Sequence, residues 1–210
     1  MSVRYFDNTR ENLLGYVPEN VCAVVELGCG AGVFGAELKR LRSCRVDGLE
    51  LDPDAAREAA DRLDSVVVGK VEEHLDSLPL ERCDLLVCND LLEHLPQPEI
   101  VLDAFRRRAP ASAHLLFSVP NVRYVEVVGE LLLKRDWKYR EHGVLDRTHL
   151  RFFTRKSFRR LLEDQGLEVV RDGFSTSCRN LPFRLLDRLL LGSLREFRYM
   201  QYVGLARPKV

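Results

Sequence analysis

A chain of 210 residues can bury one good core and is most simply read as a single domain over 1–210. Lysine plus arginine total 32 and aspartate plus glutamate total 32, so the net charge of +0 offers no bulk attraction to nucleic acid. The 6 cysteines form no CxxC pair, and three of them, Cys22, Cys83 and Cys88, sit in apolar runs typical of a reduced protein. No zinc or other metal site is therefore expected. No basic leader precedes a long apolar stretch, and no run approaches the roughly 18 apolar residues of a spanning segment. The chain thus reads as cytoplasmic.

In chain order, the first strong signal is an apolar strand over Val21 to Leu27 that breaks into the glycine turn 28–32 and then starts a helix near Val33. Glycines allow positive φ and let a ligand approach bare backbone, while the new helix presents free N–H groups to it. A dinucleotide fingerprint would place glycine three residues after Gly30, but Val33 stands there and Gly32 comes one place early. Glu26, just before the turn, would repel a pyrophosphate and attract an ammonium or sulfonium group. The second strand, Arg45 to Glu50, ends on an acid about 20 residues beyond the glycines, where a carboxylate accepts from ribose hydroxyls.

Further apolar runs at Ser65 to Val68, Asp84 to Cys88 and His114 to Val119 alternate with helical patterns at Val33 to Leu41, Pro53 to Leu63 and Glu99 to Arg108. Such βα repeats predict a parallel sheet with right-handed crossovers and helices on both faces. Asp52 with Pro53 fits a cap and first helical residue, and Arg106, Arg107 and Arg108 fit a solvated helix end. Beyond Pro120 an apolar helix is expected from Val122 to Lys134, then an irregular charged and aromatic stretch. Together 122–153 forms an inserted lid or substrate segment. A capped helix from Thr154 to Gln165, stopped by Gly166, leads to a strand over Leu167 to Arg171, and a last strand is expected over Met200 to Ala206. Between them Leu181 to Phe197 patterns as a basic amphipathic helix, packed on the sheet or a partner subunit, with membrane contact as the rarer alternative.

Three successive motifs, Glu26-Leu27-Gly28-Cys29-Gly30-Ala31-Gly32, Gly48-Leu49-Glu50-Leu51-Asp52 and Asn89-Asp90-Leu91-Leu92-Glu93-His94-Leu95, resemble those of class I S-adenosylmethionine-dependent methyltransferases, in the family's order. Ser118-Val119-Pro120-Asn121 and the stretch from Leu145 to Thr154 are similar to a subgroup associated with glycan and small-molecule biosynthesis. The resemblance implies a Rossmann-like α/β fold with a seven-stranded, mostly parallel sheet. It also implies S-adenosylmethionine (SAM) as cofactor, and methyl transfer to a hydroxyl or amine of a small metabolite or glycan precursor. A SAM-binding regulatory or partner subunit without turnover is the alternative, and a homo-oligomer stays open.

By the same resemblance, Gly28 and Gly30 approach the methionine part of the cofactor, Glu26 holds its amino group and Glu50 takes the ribose hydroxyls. Leu51 covers the adenine, the backbone of Val71 reads its edge, and Asn89 touches the cofactor and admits substrate. Lys70 departs from the pattern, standing where many relatives carry an aspartate for the adenine amino group. A hydroxyl acceptor must lose a proton, and histidine suits that task. The candidates are His94, His142 and His149, with His149 favoured because it sits in the lid beside Arg151 and ahead of Phe152 and Phe153. Tyr5, Phe6 and Arg10 are candidates to close the other side.

Overall fold

The computed structural model of the protein describes residues 11–177, 188 and 194–209. After a short helix α1 (Glu11–Leu14), strands β1 (Ala23–Leu27), β2 (Arg45–Glu50), β3 (Ser65–Val68), β4 (Leu85–Asn89) and β5 (His114–Pro120) alternate with helices α2 (Val33–Leu41), α3 (Pro53–Ala60), α4 (Val71–His74) and α5 (Pro98–Arg108). Then follow α6 (Val125–Gly129), α7 (Arg155–Asp164), β6 (Leu167–Ser177) and β7 (Tyr199–Pro208). The seven strands form one sheet in the order β3-β2-β1-β4-β5-β7-β6. Strands β1 to β5 pair in parallel, and β7 runs antiparallel to both β5 and β6.

Strand periodicity builds the core on both faces. Val25, Leu27, Leu86, Cys88, Leu115 and Phe117 enter one apolar cluster, while their neighbours Val24, Leu85, Val87 and Leu116 enter another on the opposite face. The chain leaves β1 toward β2 on one side and returns to β4 on the other. The carboxyl ends of β1 and β4 therefore flank the point where strand order reverses, the usual crevice for a ligand in an open α/β sheet.

The expected helix stop and start signals hold locally. The Asp52 carboxylate accepts from the N–H groups of Asp54 (2.8 Å) and Ala55 (3.1 Å), with Pro53 in the first turn. Thr154 and Ser157 cap α7 reciprocally, and Gly166 ends it at φ 72°. Other expectations shift. Helix α3 ends at Ala60 rather than Leu63, and the helix expected over 122–134 is only α6, followed by a wider π-helical turn at Glu130–Lys134. Strand β6 runs to Ser177, well past Arg171, because β7 pairs with it along its length around an irregularity between Val169 and Arg171. Arg108 is not a solvated helix end: it donates to the Leu75 and Leu78 carbonyls, each at 2.8 Å, and fastens the loop before β4. Cys22 is exposed, whereas Cys29, Cys44, Cys83 and Cys88 are buried free thiols. Cys178, the N-terminal candidates Tyr5, Phe6 and Arg10, and most of the helix expected over 181–197 lie outside the described residues. No helix among the described residues is long and apolar enough to cross a membrane.

Candidate functional site

The carboxyl ends of β1, β2 and β4 open into a cavity of about 1320 Å³. Glu26, Gly28, Cys29, Gly30, Glu50, Leu51, Val71 and Asn89 all line it, so seven of the expected cofactor residues and their loop share one concave surface. Lys70 also lines it, its ammonium 3.6 Å from Glu73. Gly28, Gly30 and Gly32 adopt φ of 66°, 55° and 75°, the left-handed region where glycine carries no Cβ penalty. Gly32 serves packing: a Cβ there would stand 3.0 Å from the Ala59 backbone.

Glu50 organises this loop. One carboxylate oxygen accepts from the Gly30 N–H at 2.7 Å and the other from the Asp52 N–H at 2.9 Å. Each oxygen keeps a second lone pair for a ligand hydroxyl. Glu26 is 3% exposed, with Glu50 close enough that both carboxylates, after burial itself, push the Cys29 thiol well above its usual range. The loop therefore lies in a negative potential, favourable to a cationic ligand and inert as a thiol nucleophile. Asn89 is 6% exposed, and neither its amide nitrogen nor its amide oxygen has a hydrogen-bond partner among the described residues. A buried, unsatisfied carboxamide facing a cavity calls for a polar ligand there.

Residues 141–150 form the opposite wall, through Glu141, His142, Asp146, Arg147, Thr148 and Leu150. The segment is seated by its own small cluster, in which Tyr124, Val127, Val144 and Leu145 pack with Trp137 and Phe152. It is also tied to the motif after β4, since the Leu150 and Arg151 N–H groups donate to the Glu93 carbonyl at 2.8 and 3.0 Å. The three histidine candidates separate here. His94 and His142 line the cavity, but His149 is 7% exposed and lies behind His94, with ring centroids 4.7 Å apart. His94 Nδ1 lies 3.3 Å from the Thr148 carbonyl and 3.2 Å from the Thr148 hydroxyl, which itself donates to Asp146 at 2.6 Å, so an Nδ1–H tautomer suits both oxygens and leaves Nε2 as the acceptor. His149 Nδ1 is likewise committed to the Val144 carbonyl at 3.1 Å, and its Nε2 lies 4.0 Å from the buried Glu93 carboxylate. Burial, with the neighbouring His149, holds the His94 pKa below the ordinary histidine value.

Asp90 is the cavity residue that sequence reasoning passed over. Its φ of 48° is unusual for a residue with a side chain. The Ser118 hydroxyl donates to its carboxylate at 2.7 Å and the Gln201 amide at 2.7 and 2.9 Å. Gln201 is 111 residues away in sequence, and that distance hid the arrangement.

A family profile described as a methyltransferase domain matches residues 3–172. The chain belongs to that methyltransferase family. Among curated relatives, the chain is 29% identical over 105 residues to the ubiquinone biosynthesis O-methyltransferase of Vibrio atlanticus, covering 47% of this chain and 43% of that one. It is 29% identical over 157 residues to the protein of the same name from Cupriavidus pinatubonensis, covering 70% and 60% respectively. The matched stretch thus spans less than two thirds of either relative. A SAM-dependent methyltransferase from Archaeoglobus fulgidus superposes with a TM-score of 0.71 at 19% identity, over 94% of this chain and 90% of that one. At that identity the likeness speaks for the fold. The residues present fit SAM: an acidic glycine cradle suits its cationic ammonium and sulfonium, Glu50 has lone pairs to spare for hydroxyls, and Asn89 lacks a partner among the described residues.

Proposed function

We propose that the protein transfers a methyl group from SAM to a hydroxyl of a small metabolite. The observation that carries the reading is the pair of acids at adjoining strand ends around a positive-φ glycine loop, Glu26 and Glu50, in one cavity with the unsatisfied amide of Asn89. In this reading Gly28, Gly30 and Glu26 hold the amino-acid end, Glu50 the ribose, and Leu51 and Val71 the adenine. When bound, SAM supplies an electrophilic methyl on a sulfonium leaving group. Drug-sized ligands occupy pockets of about 300–1,000 Å³. A cavity of about 1320 Å³ has room for an acceptor beside the cofactor, which supports turnover over a non-catalytic binding subunit. Oxygen rather than nitrogen is favoured because the curated relatives are named O-methyltransferases.

His94 takes the acceptor's hydroxyl proton at Nε2 as the oxygen attacks, and His149 holds the His94 ring from behind. Positioning supplies most of the rate, since well-oriented groups gain roughly 7–11 kcal/mol, against the 10²- to 10⁴-fold of a general base. Calorimetry with SAM, S-adenosylhomocysteine and NAD tests the reading. Heat from the two sulfur nucleotides and none from NAD is expected. Tight NAD binding with neither sulfur nucleotide bound would overturn it.

A further inference from the structure

The π-helical turn after α6 leaves Leu131, Leu132 and Leu133 exposed at 47%, 69% and 86%. Three consecutive large apolar residues facing water, increasingly so along the chain, are costly for a segment that folds back onto the protein. Around them stand cations. Lys134 and Arg140 both pair with Glu130, at 3.3 and 2.6 Å, whereas no described carboxylate pairs with Arg135 or Lys138, which are also exposed. Tyr139 is 49% exposed, and the Trp137 ring packs edge-on against Phe152 at 5.2 Å, fixing the base of the loop to the apolar cluster that seats residues 141–150. Apolar tip, flanking Lys and Arg, and amphipathic aromatic rings are the components of an interfacial contact.

We infer that residues 131–139 dock the protein on an anionic membrane surface, Leu131–Leu133 entering the acyl boundary while Arg135 and Lys138 meet the headgroups. The geometry favours this occupant over a protein. Partners that read a helix do so through anchors three and four residues apart on one face, whereas consecutive leucines on a wide turn fan out in several directions. A fluid apolar layer accepts all of them at once. Three leucines also fall far short of the roughly 1,200 Å² that a stable protein interface buries. The same segment continues into Glu141 and His142 on the cavity rim, so docking would bring the cavity mouth to the membrane surface.

Sedimentation with vesicles of equal phosphatidylcholine and phosphatidylglycerol, against phosphatidylcholine alone, tests the inference. The wild-type protein should pellet with the anionic vesicles and be released by high salt. The double variant Leu132→Glu/Leu133→Glu should lose about tenfold or more of this binding. Arg135→Glu/Lys138→Glu should lose at least roughly fivefold per cation removed. Circular dichroism should show both variants folded, and light scattering should give both the oligomeric state of the wild type. Wild-type protein that stays in the supernatant, folded variants that pellet as well as wild type, or binding indifferent to lipid charge would each overturn the proposal. So would a wild-type dimer that the leucine variant makes monomeric, since a second copy would then be what covers the leucines.

Discussion

At the scale of single residues, the most informative pair is Glu50 and His94, because each has one ring or carboxylate position already committed by the protein and another left open. Glu50 spends one lone pair per oxygen on Gly30 and Asp52. Glu50→Ala should weaken SAM binding by about 1.5–3 kcal/mol, the range for a lost hydrogen bond to a charged group. Calorimetry on the folded variant measures this, and unchanged affinity would remove Glu50 from the ribose. His94→Gln should lower turnover by about 10²-fold while SAM still binds. Since burial holds the His94 pKa down, the acidic limb of the wild-type rate profile should have its midpoint below about 6.5 and should vanish in the variant. That Glu26, Glu50 and Asn89 share one cavity was legible because they sit at strand ends, and strand ends follow from local apolar runs. The histidines were not separable in the same way. Whether His94 or His149 meets the cavity depends on how 141–150 folds back over β4, and no local pattern encodes that.

Among the elements, β1, α2 and the turn joining them carry the site, and their packing leaves a narrow margin. Gly35 on α2 faces β1 and β2. A Cβ there would stand 2.7 Å from the Glu26 carboxylate, 2.7 Å from Leu63 and 2.9 Å from Val46. Gly35→Ala should therefore cost about 1–3 kcal/mol of stability, as overpacked cores do. It should also weaken SAM binding, because one of the atoms that must move belongs to Glu26. Urea unfolding and calorimetry on the same preparation separate the two effects, and a variant as stable as wild type would show that α2 can shift away at no cost. Strands β1, β4 and β5 were readable because each is a short Val/Leu-rich run buried on both faces, whereas β3, at the sheet edge, is an apolar run only partly buried. The segment 122–134 misled because its apolar residues suggest a helix, yet Leu131, Leu132 and Leu133 are consecutive and cannot share one helical stripe. The far half of β6 was invisible because its partner, β7, not its own composition, makes it a strand.

For the molecule as a whole, the sheet is fastened at its antiparallel edge by a polar knot. Asp172 on β6 accepts from Arg155 and Arg159 on α7 at 2.9–3.0 Å and from the Tyr202 hydroxyl on β7 at 2.5 Å. Burial opposes ionisation of Asp172, but these hydrogen bonds and charges outweigh it and hold its carboxyl below the usual range. Asp47, Asp64 and Asp146 are likewise held down by hydrogen bonds against their burial. His94 and His114 are lowered as well, each chiefly by burial. All these groups have the same sign: the unfolded chain binds protons at a higher pH than the folded one, so stability rises with pH across each window. The histidine contribution is fully present above about pH 6.5 and is lost as pH falls through the folded values. The aspartate contribution is present above about pH 4 and lost below it. Thermal unfolding should therefore give a level Tm from pH 8 to about 6.5, a shallow decline as the histidines charge, and a steep one once the aspartates protonate. His94→Gln should flatten part of the first decline, and Asp172→Asn part of the second, while lowering Tm at neutral pH because Arg159 loses its counter-charge and Arg155 is left with Glu196 at 3.7 Å. A wild-type Tm that climbs as pH falls from 7 to 5 would reverse the sign for the histidines and place His94 charged, beside an acid, in the folded protein.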